Sequence, residues 1–186
     1  MKSRFLVFPC ATLLSIACAL GADSPQSVPA GYLEAARQAK RLFDRGNYDE
    51  AERIYESILS GAPKNLYVLS NLGVVRFRRG KLKLAVKVFR QATVVAPNDA
   101  FSHCTLGIVY CSLNCYDDAI KSLRRAIALD PKSATAHNYL GIAYSQKGMP
   151  RKAAREWDIA RELDPAYKEP DKLPEEIPTR FRTNAA

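Results

Sequence analysis

The chain has 186 residues, 47% of them hydrophobic and 25% charged, a balance that excludes wholesale disorder. Only residues 5–22 form a long uncharged apolar run, so a polytopic membrane protein is excluded as well. The net charge of +9 comes with one Trp, two His and five Cys, which leaves few of the side chains that usually carry chemistry.

Residues 1–22 have the layout of a secretory signal peptide. Lys2 and Arg4 are followed by the apolar stretch Phe5–Leu20 and then by small residues at Ala17, Cys18, Ala19, Gly21 and Ala22. Two rivals stay open: a lipoprotein signal ending before Cys18, and an uncleaved anchor of marginal length. All three imply export, to a periplasmic or secreted location or to a membrane through Cys18. Residues 23–31 are small and polar and read as a linker. Export permits disulfides, yet Cys104, Cys111 and Cys115 are an odd set. The first two stand about 10 Å apart along a helix, too far to bridge.

From residue 32 the chain repeats every 34 residues. Pro63, Pro97, Pro131 and Pro165 keep that spacing, as do Ala51, Ala85, Ala119 and Ala153, and the large residues Tyr55, Phe89, Leu123 and Trp157. Leu72-Gly73, Leu106-Gly107 and Leu140-Gly141 share it too. Asn65, Asp99 and Ser133 are placed as helix N-caps. A first helix then runs to Gly46, Gly80, Asn114 or Gly148, residue types that tolerate the left-handed conformation ending a helix. A second helix runs to just before each proline, which blocks continuation. Each unit is therefore a helical hairpin. The in-helix glycines predict close approach of the second helix at Ala85, Ala119 or Ala153. The Tyr55/Phe89/Leu123/Trp157 row is expected between neighbouring hairpins.

These residues closely resemble the tetratricopeptide repeat (TPR) family, over repeats 32–65 (divergent, with Gln38-Ala39 in place of Leu-Gly), 66–99, 100–133 and 134–167. Arg76 departs from the pattern, standing where the family prefers Tyr; Tyr110 and Tyr144 keep it. The resemblance implies an all-α, right-handed α-solenoid of four hairpins that binds proteins. It also implies a concave groove lined by the first helices. That groove would carry Leu33, Lys40 and Phe43, then Tyr67, Ser70, Asn71, Val74, Phe77 and Arg78. Phe101, Cys104 and Ile108 follow, and Thr135, Asn138, Ile142 and Gln146 complete it. Aromatic and small polar residues in this mixture suit an extended peptide. The Lys/Asn clamp with which some members hold a C-terminal carboxylate is incomplete, since of its places only Asn71 matches.

Charge concentrates in repeat 66–99, which has seven Lys/Arg against one acid, Asp99. Arg76, Arg79, Lys81, Lys83, Lys87 and Arg90 form a candidate basic patch for an acidic protein segment or anionic lipid. Nucleic acid is not expected.

No G-x-S-x-G, H-E-x-x-H, C-x-x-C or P-loop is present, and no cofactor or catalytic residue is expected. His103 and His137 share a repeat position and read as packing residues. A Cys/His redox or metal site is the remaining chemical alternative. Residues 168–186 carry Pro170, Pro174 and Pro178, which forbid regular helix. Leu173, Ile177 and Phe181 are expected to dock there as an extended strap over residues 153–163. The function expected is that of an exported scaffold or adaptor in a bacterial cell envelope. A lipid-anchored or membrane-surface assembly factor using the basic repeat is the second reading.

Overall fold

The computed structural model describes residues 28–165; the signal segment, most of the linker and the proline-containing tail lie outside them. A 3-10 turn, Ala30–Tyr32, leads into eight α-helices. They are α1 (Leu33–Asp44), α2 (Tyr48–Gly61), α3 (Leu66–Arg78), α4 (Leu82–Val95), α5 (Ala100–Ser112), α6 (Tyr116–Leu129), α7 (Ala134–Gln146) and α8 (Pro150–Leu163). No strand occurs among the described residues.

The capping residues act as their spacing predicts. Asn65 accepts from the Val68 amide at 3.0 Å, Asp99 from Ser102 at 2.8 Å and Ser133 from Ala136 at 3.3 Å. Each satisfies an amide that the first turn of a helix leaves without an intrahelical partner. The first helices end at Gly46, Gly80, Asn114 and Gly148, with φ of 80°, 71°, 59° and 69°. The amide of the next residue then bonds back five residues, as in Cys115 to the Tyr110 carbonyl and Met149 to Tyr144, both at 2.9 Å. This closure fixes a short reversal between the two helices of a hairpin.

The chain divides into two compact units, the first ending at Arg79 and the second beginning at Gly80. In the first, α2 packs against both α1 and α3, and α1 touches α3. Its core holds Ala36, Ala39, Ala51, Tyr55, Ile58 and Leu69, each at most 1% exposed. Val28 is buried, so the end of the expected linker already belongs to the packed unit. In the second unit α4 packs on α5, α5 on α6, α6 on α7 and α7 on α8, with α5 also touching α7. Its core runs through Ala85, Phe89, Ala92, Val109, Leu123 and Ala126 and ends on Trp157 and Ala160.

The in-helix glycines make room for the second helix of their own hairpin: a Cβ at Gly107 would stand 3.3 Å from the Ala119 carbonyl, the approach that the spacing predicts, and closer still to a large side chain. A Cβ at Gly107 would stand 2.5 Å from Cγ of Leu123, and one at Gly141 would stand 2.5 Å from Nε1 of Trp157. Leu123 and Trp157 thus lie over the glycine of their own hairpin. A small residue on the second helix would have left a void there, whereas a large one fills it. Trp157 Nε1 also donates to the Asn138 carbonyl at 3.2 Å.

Candidate functional site

The first helix of each hairpin carries the residues expected to line a groove, and the two units hold them separately. In the first unit Leu33, Phe43, Asn71, Val74, Phe77 and Arg78 are half-buried and Lys40 is exposed. Lys40 is engaged by Asp44 at 3.0 Å, one turn along α1. The Phe43 ring packs on Tyr48 with centroids 5.4 Å apart. Asn71 Nδ2 donates to the Tyr67 carbonyl at 2.8 Å, which holds the side chain along its own helix. In the second unit Asn138 and Ile142 are half-buried and Gln146 is exposed.

Six of the expected lining residues are instead buried: Tyr67, Ser70, Phe101, Cys104, Ile108 and Thr135. The reason is the width of the apolar stripe. In the first unit α3 touches α1 and α2, and in the second α5 touches α4, α6 and α7 while α7 touches α5, α6 and α8, so little of each circumference is left for solvent. Tyr67 lies beside Tyr55, and burial together with the neighbouring Tyr67 hydroxyl pushes the Tyr55 phenol upward. Burial likewise pushes the thiols of Cys104 and Cys111 up to about 12. These thiols are therefore protonated and poorly nucleophilic near neutrality. The three described cysteines are free.

The expected basic patch is divided by its partners. Arg76 Nε meets Glu52 at 3.0 Å and its guanidinium also meets Glu56 at 2.5 Å. Arg79 is ion-paired with Asp49 and with the second oxygen of Glu52. The Glu52 carboxylate is buried, with its side chain 5% exposed. Thus Arg76 and Arg79 clamp α3 to α2 and are not available as free positive charge. This also accounts for Arg at a place where the repeat pattern prefers Tyr: it neutralises the buried Glu52. Lys81 is half-buried at the N-cap of α4, while Lys83, Lys87 and Arg90 are exposed.

Both histidines serve the turns between hairpins. His103 Nε2 lies 3.1 Å from the Pro97 carbonyl, and His137 Nε2 lies 3.2 Å from that of Pro131. His137 Nδ1 is also 2.7 Å from Glu156. No group of three or more potential metal ligands occurs among the described residues.

Family models make the architecture specific. A tetratricopeptide repeat model matches residues 36–101 and a second, TPR repeat model matches 107–148, so that together they span more than half of the chain. The chain belongs to the tetratricopeptide repeat family. Solved TPR structures are similar to it. MamA MSR-1 is 25% identical over 73% of this chain and 78% of its own, with a TM-score of 0.65. MamA from Desulfovibrio magneticus RS-1 shares the fold at 22% identity, a TM-score of 0.67 and 79% coverage of both chains. YrrB, described as a TPR protein with an unusual peptide-binding site, shares it at 22% identity, with a TM-score of 0.66 and 73% and 70% coverage. No curated protein matches the sequence.

Proposed function

We propose that this TPR protein is an exported, non-catalytic adaptor that holds an extended segment of a partner protein on its first helices. The observation that carries the reading is the accessible side of α7. Asn138, Ile142 and Gln146 follow one another at intervals of four residues, which places them on one helix face. The face offers an apolar contact between two amides, each able to donate and accept. Asn71, Val74 and Phe77 give α3 of the first unit a similar mixture. Pockets for side chains with a few amide hydrogen bonds suit an extended peptide. YrrB, of the same fold, is described as having a peptide-binding site. A non-catalytic role is supported by histidines engaged with turn carbonyls and by thiols held protonated.

Export to a bacterial cell envelope is part of the proposal and rests on the composition of residues 1–22. Mass determination of the N-terminus made in cells distinguishes cleavage near Ala22, lipid on Cys18 and retention of the whole segment. The binding reading is tested with a displayed peptide library. Wild-type protein should enrich a common motif, and Ile142→Asp or Val74→Asp should weaken binding of the enriched peptide about tenfold or more. Equal binding by variants that remain helical would overturn it.

A further inference from the structure

We infer that the outer face of α4 is a docking surface for an anionic lipid bilayer. With successive residues 100° apart around a helix, Lys83, Lys87, Arg90 and Val94 fall within an arc of roughly 60°. Leu84 lies about 60° beyond the edge of that arc, on the flank of the helix. The buried residues of α4, which are Ala85, Val88, Phe89 and Ala92, centre on the opposite side. All three cations are exposed, and none is paired with a carboxylate among the described residues. The sequence explains why: it has no Asp or Glu between Glu56 and Asp99. The other second helices, α2, α6 and α8, all carry acids of their own.

Charge alone would fit any anionic partner, and the apolar residues narrow the choice. Val94 is 80% exposed, the highest value among the exposed large hydrophobic residues, and Leu84 is 43% exposed. Val94 stands on the cationic stripe and Leu84 on the flank of the same helix. Cations with protruding aliphatic side chains match headgroups above an acyl boundary. The backbone of α4 is committed to its own helix, so an acidic peptide would find no strand edge or amide row on this face. Two of the cations are lysines, which act as flexible point charges and not as bidentate forks. In the same register α6 carries Asp117 and a Lys121 that is ion-paired with Asp118 at 3.5 Å, and α8 carries Asp158, so the unpaired cationic stripe is particular to α4 among the described residues. The apolar run Phe5–Leu20 or a lipid on Cys18 would supply the second signal that stable membrane attachment requires.

This inference is independent of peptide binding by the first helices. It is tested by flotation of the full chain with vesicles of phosphatidylcholine alone and of phosphatidylcholine with about one-third phosphatidylglycerol. The wild type should prefer the anionic vesicles at least about tenfold, and the preference should vanish at about 1 M salt. The triple variant Lys83→Gln, Lys87→Gln, Arg90→Gln should lose the preference while retaining its melting temperature and peptide binding. A preference that survives in the variant, or its absence in the wild type, overturns the inference. Polyglutamate that binds the wild type more tightly than the anionic vesicles do would also overturn it, assigning the face to an acidic protein.

Discussion

The indole of Trp157 occupies the space that a side chain at Gly141 would need, with Nε1 only 2.5 Å from the position of a Cβ there. The two residues come from the two helices of the last hairpin, and each restricts the other. Trp157→Ala should cost about 3–5 kcal/mol, because it removes a large buried side chain and leaves a cavity. Gly141→Ala should also destabilise, by about 1–3 kcal/mol from overpacking, despite a helix-propensity gain of about 1 kcal/mol. Urea titration of both variants measures this. A Trp157→Ala loss below about 1 kcal/mol would contradict the burial of the indole.

Glu52 and Arg76 provide a second test. The Glu52 carboxylate is buried and shared between Arg76 and Arg79. Arg76→Ala should cost about 2–4 kcal/mol, since it removes one of the two cations holding a buried carboxylate. Adding Glu52→Gln should recover part of that loss, so the double variant is more stable than the sum of the single effects predicts. Strict additivity in denaturation would mean that the pair is not coupled.

The thiols predict both reactivity and alkaline stability. Replacing Cys115, which is exposed, by Ser should remove one fast-reacting thiol per chain near pH 8; replacing Cys104 should remove none. Cys104 and Cys111 are held up to about 12 by burial. Unfolded thiols release their protons from about pH 8.5, while the folded ones keep them. The unfolded state therefore binds fewer protons above pH 9, and stability falls as pH rises toward 12. The slope should approach about 1.4 kcal/mol per pH unit for each of the two. Cys104→Ala should flatten it, and an unchanged slope would contradict the assignment.

Ser102 is fully buried, and its Oγ has no hydrogen-bond partner among the described residues. Ser102→Ala should be neutral or stabilising by about 0.5–1 kcal/mol, because a lone buried hydroxyl carries a desolvation penalty. A loss above about 1 kcal/mol on thermal unfolding would show that the hydroxyl is bonded.

The hairpins are legible in the amino-acid sequence because their signals are local. A cap such as Asp99 bonds an amide three residues on, and Asn114 or Gly148 sets a single φ. Such features repeat visibly at 34 residues. What the tertiary structure decided depends on partners far along the chain. Arg76 reads as a free surface cation until Glu52, 24 residues earlier, is seen against it. Phe101 and Ile108 read as groove residues by position, yet α5 touches α4, α6 and α7, and they are buried. Gly141 announces a close approach, but only the packed hairpin shows that Trp157 makes it. Hydrogen bonds and backbone conformation are set by a few adjacent residues. Which face of a helix meets solvent is set by the helices that cover it, and repeat register alone does not say how wide that cover is.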